Sequence, residues 1–103
     1  MQPWEIGAAG ERIVADTLRI SGFVVTVNTQ LPGATDIDAT KVGDHRLVQV
    51  KTSVAPEPPA ALSPEEVRAI KSRASRLGAT AWQARLMITP GGLPGSAIEW
   101  QQL

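Results

Sequence analysis

Four polar residues in the segment ATDIDATKVGDHRLVQVKTS, residues 34–53, could do chemistry together: Asp36, Asp38, Gln49 and Lys51. Carboxylates placed close together repel and raise one another's pKa unless a cation neutralises them. A hard divalent ion, Mg²⁺ or Mn²⁺, suits such a patch, because it takes oxygen ligands, accepts an amide or backbone carbonyl and keeps several waters. An ion held in this way lowers the pKa of a bound water and offsets the charge that builds on an attacked phosphorus. A neighbouring lysine ammonium can orient the nucleophile or grip the phosphate. Phosphodiester hydrolysis uses all of these parts.

The residues around them dictate how the four are presented. The runs TDIDAT and RLVQVKT alternate in polarity and flank Val42-Gly43-Asp44-His45, so they read as two strands of a hairpin. A two-residue loop at Gly43-Asp44, with Gly first, suits a type II′ turn and would set Asp36 opposite Lys51 and Asp38 opposite Gln49. The four polar side chains then share one face, and Ile37, Ala39, Val48 and Val50 face the core. The bland alternative is the wet face of a half-exposed sheet, with Asp36 and Lys51 as a cross-strand ion pair. His45, beside the turn, reads as exposed and inert.

Ahead of the hairpin, Ile6, Ile13, Val14, Leu18 and Ile20 fit an amphipathic helix over residues 5–20 that ends before Gly22. Glu11 lies inside its apolar stripe, within roughly 60° of Val14, Ala15 and Leu18 on the helical wheel, where a carboxylate is costly to bury without a partner. A helix packed across the sheet would bring Glu11 to the Asp36 patch. FVVTVN, residues 23–28, reads as a strand, and Leu31-Pro32-Gly33 as a turn. The prolines of SVAPEPPAAL make a loop. Ser63-Pro64-Glu65-Glu66 is a helix start with a capping box, and Gly78 is the stop. Val67, Ile70, Ala74 and Leu77 form the apolar stripe between them. TAWQARLMIT and SAIEWQQL close the chain as a buried strand and an edge strand.

In that order of elements, Glu11 on a first helix, Asp36 on a strand and Gln49-Val50-Lys51 on the next strand resemble the PD-(D/E)XK nuclease superfamily. The nearest likeness is to its Holliday-junction-resolvase-like members and to the subgroup with QxK in place of ExK. The resemblance spans nearly the whole chain, through GERIVADTLRISGF, the hairpin, and SPEEVRAIKSRASRLGATAWQARL. It implies an α/β fold with a restriction-endonuclease-like αβββαβ core, a mixed central sheet and an added C-terminal edge strand, in one domain over residues 1–103. It further implies a metal-dependent DNA endonuclease acting on branched or structured DNA. In it, Asp36, the Gln49 carbonyl and the Val50 main-chain carbonyl would bind Mg²⁺ or Mn²⁺, Lys51 would position water, and Glu11 would complete the site. Two departures stand out: Thr35 precedes Asp36 where the family has Pro, and Gln49 replaces an acid, which removes one negative charge. A catalytically weak or inactive module that binds nucleic acid or a protein partner is therefore the rival expectation.

Bulk properties limit the rest. The 103 residues include no cysteine and one histidine, which excludes thiol chemistry and a histidine-rich zinc cluster. No apolar run approaches the ~20 residues of a membrane span, so a soluble, cytoplasmic protein is expected. Ten basic residues balance ten acidic ones, but nine of the acids fall at or before Glu66. Residues 67–98 hold only cations: Arg68, Lys71, Arg73, Arg76 and Arg85. Lys71 and Arg73, flanking the apolar stripe of the second helix, are expected to contact the DNA backbone, and Ser53 to contact phosphate. The three tryptophans read first as packing residues, Trp82 in an apolar strand and Trp100 in the last one, and Trp4, just before the first helix, is the one to watch for stacking on a base. Two DNA strands need two sites, so a homodimer is expected, with SAIEWQQL as the pairing edge.

Overall fold

The computed structural model describes residues 1–30 and 34–103, with the side chains of residues 29, 30 and 34–36 also outside the description. The turn expected at Leu31-Pro32-Gly33 lies outside the described residues. The order of elements is α1 (Pro3–Ile20), β1 (Val24–Gln30), β2 (Ala34–Lys41), β3 (Asp44–Val54), α2 (Pro64–Leu77), β4 (Thr80–Ile88) and β5 (Glu99–Gln102), in the expected sequence of helices and strands. The five strands form one sheet in the order β1-β2-β3-β4-β5. Among the described residues only β3 and β4 run parallel, joined by the crossover through α2, and the other pairings are antiparallel.

The two helices cover opposite faces. Val14, Ala15 and Leu18 of α1 pack with Ile37, Ala39, Val48, Ala84, Leu86 and Ile88, and the even-numbered Val50 and Val54 of β3 join them. On the other face Ile70 and Ala74 of α2 pack with Leu47 and Ala81. Leu77, expected in that stripe, is 53% exposed at the end of the helix, one residue before Gly78. The start of α2 is as the sequence dictates. The Ser63 hydroxyl accepts from the Glu66 amide at 3.2 Å, and Glu66 Oε1 accepts from the Ser63 amide at 3.0 Å. Gly78 takes a left-handed φ of 67° and closes the helix.

The hairpin differs from expectation in register. Lys41 pairs with Asp44, so the loop is Val42-Gly43, and Gly43 supplies the positive φ (76°) at its second position. Asp44 belongs to the strand, where its carboxylate accepts from Arg46 at 3.0 and 2.9 Å. Asp36 therefore faces Gln49, and Asp38 faces Leu47. The shift is two residues, so the inward and outward sets survive although each polar partner changes. Beyond the turn, the Arg46 guanidinium lies 5.1 Å from the Phe23 ring and 4.7 Å from the Trp82 ring, a stack that pins the hairpin to β4 and gives Trp82 its packing role. Trp100 also packs against the α1 core, whereas Trp4 is 73% exposed.

Candidate active site

At Asp36↔Gln49 the described β2–β3 ladder ends, while β3 stays paired with β4 as far as Val54. The ribbon forks there, and Val50 and Lys51 stand just past the branch point. Gln49 is 7% exposed, and its side-chain amide donates to Glu66 Oε2 at 3.5 Å. Lys51 Nζ lies 2.9 Å from the same oxygen. The Glu66 carboxylate thus divides its work: Oε1 caps α2, and Oε2 faces the amide and ammonium of the fork. Burial alone would raise the Glu66 carboxyl, but hydrogen bonds from Ser63 and the Lys51 ammonium outweigh it and hold the group below its ordinary value.

A row of glutamines positions this helix start. Gln49, Gln83 and Gln101 are in register across β3, β4 and β5. Buried Gln83 accepts from the Leu62 amide at 2.8 Å and donates to Gln101 at 3.1 Å, which fastens the residue before the Ser63 cap to the sheet. One step along, Arg85 sits beside Lys51 in the ladder and its guanidinium donates to the Pro59 carbonyl, so the proline-rich loop is tied down over the same face. Neither Gln83 nor Glu66 was singled out by sequence for the site. Glu66 was read as a cap alone, and the second use of a capping carboxylate appears only once α2 is laid over β3.

The expected residues are distributed as follows. Gln49 and Lys51 come together, with Val50 between them, and residue 36 occupies the ladder position opposite Gln49. Asp38 does not face the fork: it is 2.8 Å from His45 Nε2 and accepts from the Thr40 hydroxyl at 3.2 Å. His45 is accordingly half-buried and partnered, not exposed and inert. Glu11 is half-buried on α1, the helix that packs on the face of the sheet opposite the one carrying Lys51. Its turn of helix does come to the level of the fork: a side chain on Gly10 would collide with the Thr52 hydroxyl at 1.8 Å, so backbone and strand touch at the residue after Lys51. The Thr52 hydroxyl is buried and has no hydrogen-bond partner among the described residues. Ser53 donates to the Glu57 carbonyl and so anchors the loop. Lys71 is exposed on α2 and Arg73 half-buried, over the face that carries Lys51.

No known protein family matches the sequence, and no curated protein matches it either. Among solved structures, a Holliday junction resolvase, Hjc, from Archaeoglobus fulgidus, an archaeal hyperthermophile, superposes with a TM-score of 0.71 at 24% identity, covering 93% of this chain and 71% of the resolvase. The chain has the restriction-endonuclease-like fold. The described groups at the fork that could hold a cation are hard oxygens: the Gln49 amide, the Val50 main-chain carbonyl and the Glu66 carboxylate. Such a set fits Mg²⁺ or Mn²⁺ and not a thiophilic metal. Among the described residues no three His, Cys, Asp or Glu side chains gather. No described helix is long and apolar enough to cross a membrane.

Proposed function

We propose that the chain is a metal-dependent endonuclease that hydrolyses DNA phosphodiester bonds, on branched or structured DNA. The observation that carries this reading is Lys51 held at the fork of the ribbon, beside Gln49, in a fold shared with a Holliday junction resolvase. Asp36, the Gln49 side-chain carbonyl and the Val50 main-chain carbonyl would hold Mg²⁺ or Mn²⁺. When bound, the ion supplies a water of lowered pKa and positive charge opposite the attacked phosphate. Lys51 orients the nucleophile or binds the scissile phosphate. Glu11, on the turn of α1 that touches Thr52, adds its carboxylate through the gap that β2 leaves beside β3. Lys71, Arg73 and Ser53 contact the DNA backbone, and two copies joined along the exposed β5 edge would present one site to each strand.

A second reading is favoured by Gln49 itself. An amide where a carboxylate would hold metal more tightly suits a module that binds nucleic acid or a protein partner and cuts weakly or not at all. Cleavage of branched, flapped and linear DNA by the wild type and by Lys51→Ala separates the two. Cutting by the wild type that is lost in Lys51→Ala supports the nuclease. Binding without cutting by either protein supports the module, and equal cutting by both points to a contaminant.

A further inference from the structure

The buried amide at position 49 leaves the fork one negative charge short, and among the described residues the carboxylate that meets that amide belongs to another element. We infer that Glu66 of α2 is the acid that Gln49 lacks, a metal ligand delivered by the helix through Oε2. This inference rests on the nuclease reading and adds to it a residue that the strand motif does not contain.

Three observations converge on Glu66. Oε2 lies 3.5 Å from the Gln49 amide nitrogen and 2.9 Å from Lys51 Nζ, so it brings a negative charge into contact with both the amide and the ammonium of the strand motif. Oε1 is spent on the Ser63 amide, which fixes the carboxylate plane and leaves Oε2 as the oxygen turned to the fork. The helix start is braced from below by Leu62 on Gln83, so the carboxylate is carried on a rigid element and not on a free loop. The Lys51–Glu66 contact then has a purpose beyond pinning α2. It keeps an acid and an ammonium side by side, the two groups that phosphodiester hydrolysis needs at one water.

The cap and the metal role can be separated by chemistry. Glutamine serves at the third helical position of a capping box, so Glu66→Gln keeps the helix start while losing the negative charge. Mn²⁺ affinity, measured by calorimetry and by paramagnetic broadening of the Gln49 side-chain amide resonances, is expected to fall at least about tenfold in Glu66→Gln, at a temperature where circular dichroism shows the variant fully folded. Gln49→Glu placed in that background should restore most of the affinity, and cleavage with it, because it returns the acid from the neighbouring strand. A role confined to capping or to clamping Lys51 would not be rescued in this way. Equal Mn²⁺ affinity in wild type and Glu66→Gln overturns the assignment of Glu66 and leaves the nuclease reading in place. Absence of any Mn²⁺ binding by the wild type overturns both.

Discussion

The Lys51 ammonium lies 2.9 Å from the Glu66 carboxylate, so the lysine of the ribbon is secured by the helix that follows it. That pairing makes the metal-free protein sensitive to acid. Glu66 has an ordinary value of 4.5 and is held below it in the folded chain by Ser63 and Lys51, against the opposing effect of burial. A carboxyl lowered by folding binds fewer protons when folded, so its stabilisation is complete above the ordinary value and disappears as pH falls through the folded one. Urea unfolding in chelator should therefore show the wild type gaining stability between about pH 3 and 6, with a visibly flatter rise in Glu66→Gln. Identical profiles would mean the ion pair contributes nothing in solution.

Asp36 and Asp38 should behave as different kinds of residue. The sequence leaves them as competitors, two positions apart on one strand, but Asp38 is committed to His45 and Thr40. Asp38→Asn is expected to leave Mn²⁺ affinity and cleavage unchanged and to cost no more than about 1 kcal/mol of stability. Asp36→Asn should weaken Mn²⁺ binding by at least about tenfold. Calorimetric titration of both variants settles the assignment. Loss of metal affinity in Asp38→Asn alone would reverse it.

How much of this was legible beforehand depends on range. The order of elements, the Ser63–Glu66 cap and the gathering of Gln49 and Lys51 follow from periodicity and local hydrogen bonding, which a sequence carries within a few residues. The hairpin register does not. Gly43 can serve as the first or the second residue of a two-residue loop, and the ladder, which pairs Lys41 with Asp44, makes it the second. The side of the sheet that α1 covers is likewise invisible in the spacing of Ile13, Val14 and Leu18, because an apolar stripe fits either apolar face. Glu66 was missed because a carboxylate already explained by one partner invites no second question.

Ile70 tests whether α2 is held as described. It is wholly buried against Leu47 and Ala81, one turn beyond Glu66. Ile70→Ala should cost about 2–5 kcal/mol in urea unfolding, and Ile70→Val about 0.5–1.5 kcal/mol. A loss below 1 kcal/mol for the alanine variant would show that α2 is not packed on the sheet, and the placement of Glu66 would fall with it.

Gly10 offers the corresponding test for α1. An added Cβ there would lie 1.8 Å from the Thr52 hydroxyl and 2.8 Å from Thr52 Cβ, contacts that no rotation of the alanine methyl can relieve. The helix must then lift from β3, and Gly10→Ala should cost about 1–3 kcal/mol although alanine is the better helix former. Thr52→Ala in the same chain removes the hydroxyl contact but not the one at Cβ, so it should recover part of the loss and not all of it. Lifting α1 also carries Glu11 away from the fork. If Glu11 takes part in catalysis, Gly10→Ala at a temperature where it is fully folded should cut DNA more slowly than the wild type, and the double variant should fall between the two. An unchanged rate in a folded Gly10→Ala protein would remove Glu11 from the site and leave the carboxylates of the fork to Asp36 and Glu66.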